Sequence, residues 1–523
     1  MFCLSLFDIV GIQDFVFSSN KTKENVGASL LVSDILKESL QQAIDEIVPN
    51  PVCDWQTSPG FCMLSSDNGA EIIYAGGGNA LVAFADRNLA IETTKALSRN
   101  LLKGTGGSLG IAVAHLETDG SNIHDDMLKL KKQIKARKYN LPFNHPLRCI
   151  AVTREGTTDG LPAVKHIDND EEEWISQPAK LKRNAASNEN DIFKDLLPDG
   201  YTFPTIFDDL GRDKDSGESL LAIVHVDGNN MGHRIQDYVY SDGTCLSSVI
   251  EKIKCFSQNI REAYRLAFTD LSISLKNALK DEKFKKKFPY LEEDGKGKML
   301  PLRPLIVDGD DITFVCDGRI GFGLTEKLLT LLYDKKGLDG NPFSACAGMV
   351  IMKPHFPFYR AYSLAEQLCR SAKAQAKDDS KCDKQATSWF DYHITYSGLP
   401  LDINAVRSAS YSLTGKEDRY ELLRRPYCVI PDLDFYDECN WSLAKRRLEA
   451  LRSWPRSKMK GLGEALAHSK AEGERSLAEC ESRGWKLPEN ADLFSGDHTP
   501  WFDIVEMMDV CLNIPFPSTG GDE

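Results

Sequence analysis

The stretch RPLIVDGDDITFVC, residues 303–316, decides how the chain is read. Its two apolar runs, 303–307 and 312–316, have the composition of strands. The Asp308-Gly309-Asp310-Asp311 segment between them has the composition of a tight turn. Upstream, LLAIVHV (220–226) is a buried strand ending at Asp227. A long helix is expected over about 248–280, with Val249, Ile250, Ile253, Phe256, Ile260, Tyr264 and Ala267 on one stripe. Ser248 and Glu251 have capping-box spacing at its start. Downstream come a helix (322–333), a strand (FSACAGMVIM, 343–352), a helix (359–377) and a last strand (TSWFDYH, 387–393). The order is β-α-β-β-α-β.

The first 117 residues repeat that order. FCLSLFD (2–8) is a strand, and 27–47 has helical spacing through Leu30, Leu31, Ile35, Leu36 and Leu40. AEIIYA (70–75) and ALVAFA (80–85) flank the turn Gly76-Gly77-Gly78-Asn79. A helix (88–102) and a strand (108–116) close the unit. A duplicated split β-α-β unit predicts an α+β protein with two tandem ferredoxin-like domains. The expected division is 1–117, an irregular connecting domain 118–219, 220–395, and a mainly helical domain 396–523. In the last of these, Trp441, Leu443, Leu448, Leu451 and Trp454 are core candidates, with a turn-rich break near 486–500.

Composition narrows the function. The chain of 523 residues carries 63 Lys and Arg against 77 Asp and Glu, a net charge of −14. That argues against indiscriminate coating of nucleic acid or anionic membrane. No stretch approaches the 18 apolar residues of a membrane span. The apolar N-terminus contains Asp8 and Asp14 and no basic leader, so it is a strand and not a signal peptide. The 14 cysteines are scattered singly, with Cys53 and Cys62 the nearest two, and no zinc spacing occurs. A reduced, cytoplasmic protein is expected. A basic helix (Lys129, Lys131, Lys132, Lys135, Arg137, Lys138) more often makes a solvated or intramolecular face than an RNA site. His124-Asp125 lacks further ligands and is not a metal site.

An Asp-rich turn alone is most often a solvated hairpin. This one lies between apolar strands, and a matching Asp227 ends the strand expected beside it. The strand ends then bring Asp227, Asp310 and Asp311 within a few ångströms. Like charges that close need a cation between them, and oxygen-only ligands select Mg²⁺ or Mn²⁺. Two such ions activate a hydroxyl and stabilise a leaving pyrophosphate. The Gly228-Asn229-Asn230-Met231-Gly232 loop offers backbone N–H groups for a triphosphate. Lys373, one turn before Lys377, can reach phosphates held over the aspartates.

VHVDGNNMG (224–232), VDGDD (307–311), ACAGMVIMK (345–353) and the Pro357–Lys373 stretch resemble the palm domain of the Cas-ten family. These are the large subunits of type III CRISPR effector complexes. FDIVGIQDFVF (7–17), GASLL (27–31) and GGGN (76–79) resemble that family's first palm, so the resemblance covers roughly 1–117 and 220–393. The helix ending at Lys373 is also similar to the diguanylate-cyclase pattern, in which the lysine contacts phosphate. The resemblance implies a two-metal nucleotidyltransferase of prokaryotic antiviral defence that joins ATP into cyclic oligoadenylates. Asp227, Asp310 and Asp311 match its catalytic metal ligands. Gly228, Asn229, Asn230, Gly232, Asp308, Gly309 and Lys373 fall at its nucleotide-binding positions. Gly77, Gly78 and Asn79 then mark an inert, nucleotide-binding first palm.

Three departures stand out. Asp308 replaces the first Gly of the family's GGDD turn, where an added carboxylate bears on nucleotide choice or metal occupancy. Asn229 replaces a second Asp. The HD nuclease and the linker zinc cysteines are missing, which makes this a compact form. The alternatives are a catalytically silent nucleotide-binding subunit of an RNA-guided complex, and a palm-type polymerase. The retained aspartates disfavour the first, and the lack of a basic template channel disfavours the second. Expected partners are ATP or another NTP, and possible complex subunits with target RNA.

Overall fold

The computed structural model describes residues 1–57, 60–63, 67–141, 152–168, 172–186, 193–204, 207, 210–211, 219–241, 245–292, 298–378, 386–395, 402–414, 419–430, 438–488 and 491–517. Part of the acidic run near 166–174 and part of the break at 486–500 lie outside them.

The first unit runs β1 (Phe2–Val10), α1 (Ile12–Phe17), α2 (Thr22–Asp34), α3 (Leu40–Ile47), β2 (Pro51–Val52), β3 (Ala70–Gly76), β4 (Asn79–Phe84), α4 (Arg87–Thr105), β5 (Gly110–Thr118) and α5 (Ile123–Tyr139). The helix expected over 27–47 is interrupted by a π-turn at Ile35–Ser39. The sheet order is β2-β3-β4-β1-β5, with β1 antiparallel to both neighbours. Strand β1 is apolar on both faces because both are covered. Cys3, Phe7 and Ile9 face the main core, while Phe2, Leu4 and Leu6 face a second cluster. That cluster includes Ile123, Met127, Leu130 and Ile134 of α5.

Between the sheets, β6 (Ala163–Asp168) and β7 (Glu172–Ser176) form a hairpin that leads into α6 (Gln177–Ala185). The Ser176 hydroxyl caps α6 by accepting the Ala179 N–H. Helix α6 lies backbone-to-backbone on α2, since a Cβ on Gly27 would sit 1.7 Å from the Lys182 carbonyl oxygen. The Lys182 ammonium donates to the Phe15 carbonyl at 2.6 Å and fixes α1 as well. A short strand β8 (Tyr201–Thr202) follows.

The second unit runs β9 (Leu221–Gly228), α7 (Met231–Val239), α8 (Leu246–Ala278), α9 (Glu282–Lys285), β10 (Lys298–Met299, paired with β8), β11 (Leu302–Asp308), β12 (Asp311–Asp317), α10 (Gly321–Tyr333), β13 (Ala345–Met352) and α11 (Phe358–Asp378). It continues through β14 (Ser388–Ile394), α12 (Ile403–Ser410), the paired β15 (Ser412–Thr414) and β16 (Arg419–Glu421), and β17 (Tyr427–Ile430). The sheet order is β11-β12-β9-β13-β14-β17. Its first four strands repeat the arrangement of β3-β4-β1-β5, and β14 adds in parallel to β13.

Helix α8 buries the whole expected stripe, from Val249 to Ala267. It starts at Leu246 with Cys245 at the N-cap and no side-chain cap bond. The expected capping box therefore does not form, because Ser248 and Glu251 lie inside the first turns. The same helix crosses beneath the first sheet. Val249, Ile250 and Ile253 join the β1 cluster, and Lys254 makes a 2.6 Å ion pair with Glu71 of β3 in full burial.

Of the C-terminal helices α13 (Trp441–Leu451), α14 (Arg456–His468), α15 (Lys470–Ser482) and α16 (Trp501–Met507), α13 packs on β17 and stacks Trp441 on Phe322 of α10, α14 packs on α15 and α16, and α16 packs on α13. Trp441, Leu448, Leu451 and Trp454 are buried, and Leu443 is half-buried. The Arg425 guanidinium lies 4.0 Å over the Tyr392 ring and 2.8 Å from Glu506, tying α16 to β14. No described helix is long and apolar enough to cross a membrane.

Candidate active site at the facing hairpin turns

Strand pairing carries Asp227 to the position opposite Asp311 on β12. Gly309, at φ +61, and Asp310 form the turn that precedes Asp311. The Gly228 N–H donates to the Asp310 carbonyl at 3.1 Å and pins the strand end to the turn. Burial raises the Asp310 carboxyl, and the charges of Asp227 and Asp311 raise it further, to about 6.

Each neighbouring carboxylate has a basic side chain beside it. Lys373 Nζ, from α11, lies 2.6 Å from Asp227 Oδ2 and donates to the Gly228 carbonyl at 2.9 Å. His225 Nδ1 lies 3.2 Å from Asp311 Oδ1 and 3.1 Å from Thr313 Oγ1. Burial opposes the charged imidazole, yet Asp311, with Asp227 and Glu366, raises its pKa overall. Asp311 Oδ1 is buried without a well-formed hydrogen bond, as is the Tyr264 hydroxyl beneath the turn. A buried carboxylate oxygen this poorly paired is the kind of group a divalent cation satisfies, and the donor set is all carboxylate. Among the described residues, however, no three His, Cys, Asp or Glu side chains are gathered closely enough to hold a metal. Asp227 is turned to Lys373 instead.

The glycine-rich loop is partly spent inside the protein. Its Gly228 and Asn229 N–H groups donate to the carbonyls of Asp310 and Ser344, so these two amides are not free for phosphate as expected. The Asn229 side chain donates to the Thr387 carbonyl at 2.9 Å, tying the loop to the edge of β14. Asn230 takes the left-handed conformation, φ 55, and starts α7. The first-turn amides of that helix, at Met231 and Gly232, lack intrahelical acceptors. Lys377 is exposed on the last turn of α11.

The GGGN turn of the first sheet faces this turn across the interface between the units. Gly77 N–H donates to Asp308 Oδ2 at 2.8 Å. The Ser29 hydroxyl of α2 also bonds the Leu305 carbonyl across the same interface. Two cavities flank the facing turns. The larger, about 650 Å³, is lined by Asp227, Asp308, Asp310, Asp311, Lys373, Gly77 and Gly78. The smaller, about 290 Å³, is more apolar, with Trp55, Tyr74, Met231, Tyr240, Asn79, Gly232 and Gly309 on its wall. His124 lines it too, packed edge-on against Tyr240.

Two further charged residues line the larger cavity: Asp8, at the end of β1, and Lys138, 2.5 Å from it. Burial raises the Asp8 carboxyl, and Lys138 offsets part of the effect. Reading the first turn alone missed them. The signal was the apolar strand 2–7 ending in Asp, as 220–226 does. In the basic helix Lys138 pairs with Asp8 and Lys129 with Asp126, while Lys131, Lys132, Lys135 and Arg137 are exposed.

No known family profile and no curated protein matches this sequence. The fold does match solved structures. A Csm1–Csm4 cassette in complex with cA3 aligns at a TM-score of 0.52 and 12% identity, over 97% of this chain and 69% of that one. The Csm1–Csm4 cassette in complex with one ATP aligns at 0.52 and 12% identity, over 98% and 70%. The fold of this chain is thus similar, over nearly its whole length, to that of a Csm1–Csm4 cassette chain.

Proposed function

We propose that this protein is a metal-dependent nucleotidyltransferase that makes cyclic or linear oligonucleotide messengers, oligoadenylates first among them, from ATP. The observation that carries the reading is the pairing of Asp227 with Asp311, with Asp310 at the turn, on the wall of a cavity of about 650 Å³ between two similar sheets. Similarity to cassettes crystallised with ATP and with cA3 supports it. In this reading the two sheets are tandem ferredoxin-like palms, 1–117 and 220–395. They are joined by a connecting domain (118–219) and followed by a helical domain (396–523).

Asp227, Asp310 and Asp311 are the residues that would hold two Mg²⁺ or Mn²⁺ ions. Such ions supply activation of the attacking hydroxyl and charge stabilisation of pyrophosphate. Lys373 is placed to leave Asp227 and take a phosphate oxygen. Asp310, with its carboxyl near 6, holds a proton more readily than an ordinary aspartate until a cation displaces it. Met231 and Gly232, at the start of α7, line the smaller cavity. Gly77, Gly78 and Asn79 supply backbone and amide contacts but no carboxylate, so the first sheet binds nucleotide without turnover.

We place the protein in the cytoplasm, because its 14 cysteines are scattered singly with no paired or zinc-type spacing. Its partners would be the other subunits of an RNA-guided antiviral complex and target RNA. The second reading, a silent nucleotide-binding subunit, draws on the Lys373–Asp227 ion pair, which occupies a carboxylate that catalysis needs. One experiment separates the two. The purified chain is incubated with each NTP and Mg²⁺ or Mn²⁺, with and without candidate RNA, and products are identified by mass spectrometry. Oligonucleotide products that vanish in the Asp310→Ala/Asp311→Ala variant support transfer. Bound but unchanged ATP in every condition supports the silent subunit.

A further inference from the structure

Asp308 is the side chain by which the two facing turns touch. Its Oδ2 accepts the Gly77 N–H at 2.8 Å. Its Oδ1 lies over Gly76, where a Cβ would come within 3.3 Å of it. Beside this contact the backbones are also close, since a Cβ on Gly309 would be 3.4 Å from Gly77 Cα. Asp308 and Gly77 both line the two cavities, so the contact is part of the wall between them. Lys37 and Arg261 lie near enough to feel the Asp308 charge.

The turn it grips is a run of three glycines. Gly76, Gly77 and Gly78 follow one another, and Gly77 and Gly78 sit at φ +61 and +77. A run of glycines keeps one geometry only when something outside it fixes it. A carboxylate accepting a backbone N–H is a charge-assisted bond, stronger than its neutral counterpart.

We propose that Asp308 is a positioning residue that latches the first sheet's Gly77–Gly78 turn onto the Asp310 turn. The latch fixes the wall between the cavities. It thereby sets how a nucleotide in the smaller cavity is presented to one in the larger. This role rests on the nucleotidyl-transfer reading, whereas the latch itself does not.

The test compares Asp308→Gly and Asp308→Asn with the parent chain by hydrogen–deuterium exchange over residues 74–82. It adds a titration with a non-hydrolysable ATP analogue, and turnover. Loss of one partly exposed, charge-assisted bond should speed exchange in Asp308→Gly by about fivefold and lower kcat by about tenfold. Analogue affinity should fall less than kcat does, because Asp227, Asp310, Asp311 and Lys373 are untouched. Asp308→Asn keeps an acceptor oxygen and should recover most of the protection and the rate. Unchanged exchange in Asp308→Gly, or an Asp308→Asn variant as unprotected as Asp308→Gly, would overturn the latch. Absence of turnover in the parent chain would instead sink the transfer reading, with exchange alone then deciding the latch.

Discussion

Asp8 occupies in the first sheet the place that Asp227 occupies in the second. Asp8 faces Asn79 across β1 and β4, as Asp227 faces Asp311 across β9 and β12. The next residue repeats as well: Ile9 N–H donates to the Gly78 carbonyl at 2.9 Å, and Gly228 N–H to the Asp310 carbonyl at 3.1 Å. A lysine from the helix after the fourth strand completes each copy, Lys138 on Asp8 and Lys373 on Asp227. The interface thus holds two versions of one carboxylate–lysine arrangement. Only the second adds carboxylates in the turn.

This asymmetry places the chemistry in the second unit. Asp310→Ala/Asp311→Ala should abolish turnover and divalent-ion binding while circular dichroism and Tm stay near those of the parent. Asp310 is already held uncomfortably as an anion, so its loss removes repulsion and not support. Asn79→Ala should leave metal-dependent turnover measurable. Turnover surviving in the double variant would remove the assignment.

Lys373→Ala should weaken nucleotide binding far more than it lowers stability. A charge-assisted phosphate contact is worth roughly 1.5–3 kcal/mol, or about ten- to a hundredfold in affinity. The half-exposed ion pair with Asp227 contributes little to folding. An unchanged nucleotide titration would show that Lys373 serves Asp227 alone.

Lys138→Ala should have a smaller effect of the same kind, about threefold in apparent KM, since the first turn offers no carboxylates to draw phosphate and cation together. A loss as large as that of Lys373→Ala would show that the two halves of the interface bind alike.

His393 supplies a pH test away from the site. Burial, with the Arg425 and Arg407 charges, lowers it to about 4. Between about 4 and its ordinary value of about 6.5, the unfolded chain binds a proton that the folded chain does not. Stability should therefore fall as pH drops from 6.5 toward 4, by about 3 kcal/mol from this group. Urea unfolding of His393→Phe should show a shallower pH slope in that window. An identical slope would mean that other groups govern acid stability.

The isolated chain should bind RNA weakly, because an acidic surface neutralises few phosphates. Tight binding with a steep salt dependence, lost on reversing Lys131, Lys132 and Lys135, would make this chain an RNA sensor on its own.

The repeated strand order and the Asp227–Asp311 pairing were legible because they rest on period and position. Apolar runs of strand length ended in Asp or in glycine turns, and strand pairing does the rest. What was not legible depended on side-chain direction or on distant partners. Spacing alone did not show that Asp308 would reach Gly77, or that the Gly228 and Asn229 amides would be taken by Asp310 and Ser344. The capping box failed for a related reason. A three-residue shift of the N-cap, from Ser248 to Cys245, puts Ser248 inside the helix.

The 33-residue helix α8 spans roughly 50 Å, and it belongs to both halves of the molecule. Cutting the chain between the units would strip Glu71 from Lys254 and bare the Val249–Ile253 ridge. The C-terminal fragment would then carry a lysine with no counter-ion in an apolar hollow and a sticky seam along its longest helix. Separately expressed halves should precipitate, and co-expressed halves should reassemble.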